Sequence, residues 1–280
     1  MNNTEKRQVF RLMLAGNECV HPASVFDPMS ARIADSLGFE IGMLAGSVAS
    51  MAVLGAPDMV VLTLTEFAGL ARRITKASEL SLLVDADHGY GNALNVMRTV
   101  EELEAAGVAA LTIEDTVLPT AFRQERAGEA ISTDEMVGKL KAALAARSDP
   151  SLVIVGRTRA ADAERMKAYT DTGVDALFLT GVRSAEDLDA ARMATHLPLM
   201  LGGTPQAIGD TDFLAANGVR VALAGHLPFL AAVGTVYEVM KHLKENGSFD
   251  AIASITATDD LMAVATRRND YGRWQKEFLE

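Results

Sequence analysis

The sequence has one cysteine, one tryptophan and few aromatic residues, and it contains no long hydrophobic run. Because Cys19 has no second cysteine to pair with, an intrachain disulfide is excluded. No apolar run approaches the roughly 20 residues that cross a bilayer. The stretch from Met1 to Glu18 mixes charged and apolar residues and has no apolar signal-peptide core. We therefore expect a soluble, cytoplasmic protein without membrane association.

The sequence also has few basic residues. Its 26 Lys and Arg stand against 37 Asp and Glu, which gives a formal net charge of −11 at pH 7. A protein that binds nucleic acid needs a basic surface against the phosphates, so this composition excludes nucleic acid as a partner. An anionic small molecule would need a local metal ion or arginine to overcome the overall charge.

Linkers are missing as well, because no Pro/Ser-rich or low-complexity stretch divides the chain. The 280 residues are 49% apolar, which is enough to bury a large core. We predict a single domain over residues 1–280, in which about 250–280 form a helical C-terminal extension.

Short apolar runs alternate with amphipathic segments along most of the chain. Continuous apolar runs are typical of parallel strands that are covered on both faces. The predicted strands lie near Cys19–Val25, Ile41–Ala45, Ser81–Asp85, Ala110–Glu114, Leu152–Gly156, Ala176–Leu179, Leu199–Leu201 and Val219–Ala224. The helical patterns between them include Asn95–Ala106, Thr133–Ala146, Ala161–Thr172 and Ala185–Thr195.

Glycines such as Gly107 and Gly173 stand between helical patterns and the following strands, where a left-handed residue ends a helix. Eight strand–helix alternations predict an α/β fold, a (β/α)₈ TIM-type barrel with extra C-terminal helices. The alternative is an open doubly wound sheet, but no Gly-x-Gly-x-x-Gly turn follows the first predicted strand.

Polar residues collect where the predicted strands end, which is the catalytic end of such barrels. These residues are Ser47, Asp85, Asp87, His88, Glu114, Asp115, Arg157 and His226. A purely structural core would not place so many ionisable groups at equivalent positions of different strands. The pattern therefore predicts an active site at this end.

Asp85 and Asp87 stand two residues apart at a strand end, so their side chains are expected to point to the same side. Alternatively, they cap the following helix. Glu114 from the neighbouring strand adds a third carboxylate, and such a group repels itself unless protons or a cation compensate. Oxygen-only ligands indicate Mg²⁺ or Mn²⁺ rather than zinc. For His88 we favour a structural role behind the ligands over direct binding of the metal ion.

Two further features suit an anionic ligand. The amides of Ser47 and Val48 begin a predicted helix, where they can hold a carboxylate or an oxyanion, although a Gly-Ser turn is also an ordinary helix start. Arg157 leaves a buried strand at the catalytic end, and such an arginine pairs with an acid, binds the ligand, or does both.

The sequence resembles the isocitrate lyase/phosphoenolpyruvate mutase superfamily. The resemblance lies in Ser24–Arg32, Gly46–Ala49, Gly55–Asp58, Asp85–Gly91, Ile113–Asp115 and Gly156–Thr158, in this order along the chain. It implies a small 2-oxo acid substrate that is bound to Mg²⁺ and reacts through a pyruvate enolate.

The resemblance also implies a role for each matching residue. Asp85 would anchor the metal ion, and Asp87 and Glu114 would hold its water ligands. The Ser47 and Val48 amides would receive the substrate's oxygens. Arg157 would bind the substrate and stabilise the enolate. Asp58 would lie near the reacting centre.

The loop after Asp115 distinguishes the branches of this superfamily. Lyases carry Lys-Lys-Cys-Gly-His here, and hydrolases and mutases carry a lysine followed by Asn-Ser, whereas this chain has Thr116–Phe122. Decarboxylation needs no acid or base on that loop. The loop and His226 most resemble the oxaloacetate decarboxylase branch, in which the histidine contacts the substrate. A carbon–carbon lyase of substituted malate or isocitrate type and a non-catalytic 2-oxo acid-binding barrel are the alternatives.

Three departures from the superfamily pattern concern the mouth of the barrel. Arg159 replaces the usual Asn or Asp, the stretch Ala160–Arg165 is shortened, and Gly202–Pro205 is unusual. The resemblance further implies a helix-swapped homo-oligomer, a dimer of dimers, in which the C-terminal helices pack on a neighbouring barrel. Trp274 and Phe278 would lie on one helical face and contact that neighbour or the chain's own barrel.

Overall fold

The computed structural model describes residues 1–120, 122–123, 128–160, 162–203, 208–246, 248 and 250–280. Its strands are β1 Ala23–Ser24, β2 Ile41–Leu44, β3 Ser81–Asp85, β4 Ala110–Glu114, β5 Val153–Arg159, β6 Ala176–Thr180, β7 Leu199–Gly202 and β8 Val219–Ala222. Its helices are α1 Asn3–Ala15, α2 Pro28–Ser36, α3 Gly46–Leu54, α4 Leu64–Ala77, α5 Ala93–Ala105, α6 Thr133–Ala146, α7 Ala163–Thr170, α8 Ala185–Ala194, α9 Thr211–Ala216, α10 Leu227–Asn246, α11 Asp259–Thr266 and α12 Arg268–Leu279. A 3₁₀ turn at Asp250–Ile255 precedes α11.

The eight strands form one parallel sheet in the order β1 to β8. The sheet closes on itself because Val20 forms a parallel bridge with Val221, and the Ala222 amide donates to the Val20 carbonyl at 3.0 Å. This arrangement confirms the predicted (β/α)₈ barrel and excludes the open doubly wound sheet.

Six of the eight predicted strands differ in length from those observed, the first and the fifth among them. The first is reduced to two residues plus the bridge at Val20. The fifth continues past Gly156 to Arg159, because residues 155–159 stay in register with 176–180 of β6. Arg157 therefore lies within a strand rather than after its end. The predicted helix from Ala161 to Thr172 begins at Ala163, and Ala161 itself lies outside the described residues.

Alternation along the strands divides the core into two layers. Leu82 and Val84 of β3 face the surrounding helices, whereas Leu83 faces the barrel interior. The same alternation turns Asp85, the last residue of β3, toward the interior at the carboxyl end. The site is thus the polar top layer of the barrel interior.

The amino end of the barrel is closed by α1. Phe10 and Leu14 of this helix are buried in the interior layer. The helix begins with a capping box, in which the Asn2 side chain accepts from the Glu5 amide and Glu5 accepts from the Asn2 amide. The barrel therefore opens at its carboxyl end.

Beyond the barrel, α11 packs against α2, where the Arg32 guanidinium donates to the Ala265 carbonyl at 2.9 Å. Trp274 of α12 packs edge to face on Tyr271, with ring centroids 5.2 Å apart, and Phe278 is exposed. Among the described residues, no helix is long and apolar enough to cross a membrane.

Candidate active site

A cavity of about 350 Å³ opens at the carboxyl end of the barrel. Most of the residues that the sequence predicts for the site line it. They are Ser47, Asp58, Asp85, Asp87, Glu114, Arg157 and His226. The cavity also has an apolar side, which includes Met43, Leu118, Phe178 and Leu223. Val48 and His88 are buried beside the cavity.

Three adjacent strands bring Asp85, Glu114 and Arg157 together. The Arg157 guanidinium donates to Asp85 through Nη1 and lies 3.0 Å from Glu114 Oε2 through Nη2. Its carbon Cζ lies 5.3 Å from the centroid of the Phe178 ring, which adds a cation–π contact. The Thr112 hydroxyl donates to the other oxygen of Asp85 at 2.7 Å. These contacts fix the arginine between two carboxylates.

Asp87 lies in the turn after β3 rather than on the strand. Its backbone is left-handed, with a φ of 48°, which is an uncommon conformation for a residue other than glycine. Its carboxylate lies against Gly46 at the start of α3, where an added Cβ would come within 2.7 Å of both oxygens. Glycine at position 46 therefore makes room for the Asp87 carboxylate.

Burial and mutual repulsion disfavour the charged form of the carboxylates in the cavity. Burial, together with the charges of Asp85, Glu114 and Asp58, raises the pKa of Asp87 to about 8. Burial also raises the pKa of Glu114 to about 7, although Arg157 opposes the shift. The pKa of Asp58 is raised by burial and by Asp85. One guanidinium does not neutralise these neighbouring acids.

The amino terminus of α3 points its first amides toward the same region. Ala45 is the N-cap residue, and no side chain caps this helix within the described structure. The first-turn amides, which include those of Ser47 and Val48, have no partner within the helix. An oxyanion or a carboxylate is the kind of group that such amides bind.

His226 faces the cavity just before α10. Its Nδ1 lies 3.1 Å from the Ser24 hydroxyl of β1, which leaves Nε2 available to a ligand. Burial lowers the pKa of this histidine, although Asp85 and Asp58 act in the opposite direction. The imidazole is therefore neutral near pH 7.

His88 is buried behind the turn that carries Asp87. The Lys139 ammonium donates to its carbonyl at 2.9 Å. Burial and the Lys139 charge lower the pKa of His88 to about 4, so the ring is neutral. This environment agrees with a structural position rather than with a ligand exposed to the cavity.

The acidic residues fit a magnesium ion. Asp85, Asp87 and Glu114 offer only oxygen donors, and the cavity needs more positive charge than Arg157 supplies. Among the residues described, no three His, Cys, Asp or Glu side chains converge closely enough to hold an ion directly. The donor set thus fits an ion that keeps part of its water shell, as Mg²⁺ usually does.

Several residues of the site were not predicted. Thr112 could have been found, because it lies two residues before Glu114 on the same face of β4. Ser24 and Phe178 gave no comparable signal, since their contacts join distant parts of the chain. Arg159 does not line the cavity; its guanidinium donates to the Gly128 carbonyl at 2.8 Å. Of the unusual stretch Gly202–Pro205, Thr204 and Pro205 lie outside the described residues.

The fold and the acidic cavity define a barrel enzyme of a known family. Residues 10–244 match the family model for phosphoenolpyruvate phosphomutase, and the chain belongs to this family. The structure is similar to phosphoenolpyruvate phosphomutase from Streptomyces platensis subsp. rosaceus, with a TM-score of 0.87 and 26% identity over 98% of this chain and 99% of that one. The predicted superfamily is therefore confirmed.

Similarity to individual enzymes of this family indicates the type of reaction. The chain is 52% identical over 261 residues to an oxaloacetate decarboxylase of Bradyrhizobium diazoefficiens, covering 91% of this chain and 90% of that one. The predicted enzyme class, a carboxy-lyase, is confirmed by this similarity. The structure also resembles a phosphonopyruvate hydrolase in complex with oxalate and Mg²⁺, with a TM-score of 0.86 and 25% identity over the whole of both chains.

Proposed function

We propose that this enzyme decarboxylates oxaloacetate to pyruvate and CO₂ with Mg²⁺ as its metal ion. The observation that carries the proposal is the composition of the cavity. Carboxylates, Arg157 and the uncapped start of α3 surround its polar side, while Thr116 and Leu118 provide no acid or base above it. The relative from Bradyrhizobium, named as an oxaloacetate decarboxylase, supports the same reaction.

We propose that Asp85 anchors the ion and that Asp87 and Glu114 hold its water ligands. When bound, Mg²⁺ supplies a Lewis acid that stabilises negative charge on a carbonyl oxygen. The Ser47 and Val48 amides would bind the substrate's carboxylate and keto oxygens. Arg157, whose buried Nε has no hydrogen-bond acceptor among the described residues, would donate to the substrate. Asp58 would contact the substrate from the loop after α3.

The reaction breaks the bond between C3 and C4 of oxaloacetate. C4 leaves as CO₂, and the bonding electrons pass to the C2 oxygen, which gives the enolate of pyruvate. The guanidinium of Arg157 and the α3 amides stabilise this charge as it forms. A proton added to C3 then completes pyruvate. The neutral His226 is suited to hydrogen-bond the keto oxygen or the leaving carboxylate, whereas delivery of this proton to C3 would require its protonated form.

Coupled assays of pyruvate formation test the proposal. Oxaloacetate should be converted to pyruvate faster than in an enzyme-free solution with the same Mg²⁺ concentration, and EDTA should abolish the difference. Oxalate, which has the planar shape of the enolate, should inhibit competitively when Mg²⁺ is present. A rate equal to the enzyme-free rate would contradict the proposal.

The same assay separates the alternatives. Cleavage of substituted malates or isocitrate without conversion of oxaloacetate would identify a carbon–carbon lyase. Binding of oxalate without turnover of any of these acids would identify a non-catalytic 2-oxo acid-binding barrel.

We also propose that residues 1–280 form one domain and that the chain assembles as a dimer of dimers. Helix α10 exposes Leu230, Val233, Tyr237 and Met240, which are each more than half accessible. Such an apolar face is typical of an interface. Truncation after Asp250 should reduce the mass measured by light scattering to that of a smaller assembly. An unchanged assembly would show that the C-terminal helices do not contribute to the interface.

A further inference from the structure

The loop after β4 returns to the barrel as a short antiparallel pair. Thr116 bridges Ala130, and the Val117 amide donates to the Glu129 carbonyl at 2.7 Å. On the other side of this bridge, the Ile131 amide donates to the Asp115 carbonyl at 2.8 Å. We call residues 115–117 and 129–131 the two stems of this loop. The first stem directly follows Glu114 and contains Thr116, which lines the cavity.

The Asp115 side chain is 4% exposed and does not line the cavity. Its Oδ2 accepts from the Thr158 hydroxyl at 2.7 Å and from the Tyr169 hydroxyl at 2.8 Å. The Arg165 guanidinium lies 3.3 Å from the same oxygen. Burial and the Asp115 charge raise the pKa of Tyr169, so its hydroxyl keeps the proton that it donates.

Arg165 connects both stems to α7. Its Nη1 contacts Asp115 of the first stem, and its Nη2 donates to the Ile131 carbonyl of the second at 2.7 Å. Nη1 also donates to the Tyr169 hydroxyl at 3.0 Å. A planar guanidinium can serve all three partners at once, whereas an ammonium group on a lysine cannot reproduce this geometry.

We propose that Arg165 is a positioning residue for the decarboxylation proposed above, acting together with Asp115 and Tyr169. It joins the two stems of the loop and thereby fixes Glu114 and Thr116 at the cavity. None of the three positioning side chains touches the cavity, so their effect passes through the backbone next to Glu114. A displacement of about 1 Å at a reacting centre costs roughly 10²-fold in rate.

The chain offers a matched control at the opposite end of the barrel. Arg147 donates to the Leu152 carbonyl at 3.0 Å and to the Asp175 carboxylate at 2.7 Å. Its side chain is 19% exposed, compared with 16% for Arg165. Arg147→Met and Arg165→Met therefore remove similar contacts, but only the second lies beside the loop.

Limited trypsinolysis tests the joining of the stems without reference to activity. Arg123 lies between the stems, and the rate of cleavage after it reports how readily the loop opens. The two variants are compared under conditions in which urea titration gives them the same free energy of unfolding. There we expect cleavage after Arg123 to be about tenfold faster in Arg165→Met than in Arg147→Met. Equal cleavage rates in the two variants would overturn the proposal.

Kinetics then test the effect on the site. Arg165→Met should lower kcat/KM by roughly 10²-fold, and Arg165→Lys and Tyr169→Phe should lose less. Arg147→Met should stay within about twofold of wild type. Normal kcat/KM in Arg165→Met would overturn the positioning role. If wild type does not act on oxaloacetate, the proposed function fails, while the trypsin result still decides whether Arg165 joins the stems.

Discussion

Buried charges are paired with complementary groups at the amino end of the barrel, whereas at the carboxyl end carboxylates lie close to one another. At the amino end, Lys6 donates to the Thr75 and Ser78 carbonyls, and Arg7 donates to the Val108 and Glu104 carbonyls and to Asp149. Every one of these contacts is complementary in charge. At the carboxyl end, several carboxylates of the cavity face Arg157, which is the one arginine among the described residues that line it, and two of these carboxylates have strongly raised pKa values.

This difference separates stability from function. Complementary contacts at the amino end stabilise the closed barrel, because α1 is held to the strands and loops around it. Uncompensated carboxylates at the carboxyl end oppose folding, and they are useful only if a cation binds there. Substitutions at the two ends should therefore have opposite effects on stability and activity.

The largest effect is expected from Asp85→Ala. Removal of the proposed metal anchor should lower kcat by about 10⁴-fold or more, since a metal ion contributes several kcal/mol to charge stabilisation. The free energy of unfolding should stay within about 1 kcal/mol of wild type, because the loss of one repelling carboxylate offsets the loss of its ion pair with Arg157. Steady-state kinetics and urea titration measure both. Full activity at limiting Mg²⁺ would contradict the metal assignment.

The next effect concerns His226 and the loop after Asp115. His226→Ala should lower kcat by roughly 10²–10⁴-fold if the histidine is a general acid. A smaller loss with a raised KM would show that it mainly positions the substrate. Thr116→Ala and Thr120→Ala serve as controls and should do far less. A lyase would show the opposite order, with severe loss from the threonines and near-normal rates for His226→Ala.

At the amino end, Arg7→Met should destabilise the protein without affecting catalysis. Arg7 is 5% exposed, and its loss leaves Asp149 and two carbonyls without this donor. Breaking such a pair costs roughly 3 kcal/mol, which urea titration would detect. We expect kcat at low temperature to remain within about twofold of wild type. A large loss of kcat in folded Arg7→Met protein would contradict the proposal that the amino end contributes to stability and not to activity.

The comparison also explains how much the sequence predicts. Local patterns are sufficient for β3, β4 and α6, whose observed bounds equal the predicted ones. The strand ends likewise indicate Asp85, Glu114 and Arg157, because parallel strands bring their carboxyl ends together.

Contacts between distant segments could not be predicted in this way. The pairing of Ser24 with His226 and the bridging of the loop stems by Arg165 depend on barrel closure and helix packing. The position of Asp87 in a left-handed turn depends on the space left by Gly46, which no periodicity reveals. Sequence pattern thus indicates which groups reach the site, whereas tertiary packing determines how they are held.

The smallest effect expected is a pH dependence of stabilisation by Mg²⁺. Burial and neighbouring carboxylates raise the pKa of Asp87 to about 8, and burial raises that of Glu114 to about 7. Raised pKa values mean that folding favours the protonated acids. Their contribution to stability is therefore complete below the ordinary carboxyl pKa and is lost as pH rises through 7 to 8. The metal-free protein should become less stable between pH 5.5 and 8.5.

Magnesium should oppose this loss, because the ion binds the deprotonated carboxylates and compensates their repulsion. We expect the stabilisation by Mg²⁺, measured as the difference in free energy of unfolding with Mg²⁺ and with EDTA, to be larger at pH 8.5 than at pH 5.5 by about 1 kcal/mol or more. Asp85→Ala is the control and should show little stabilisation at either pH. A difference independent of pH in wild type would mean that protons and Mg²⁺ do not compete at these carboxylates.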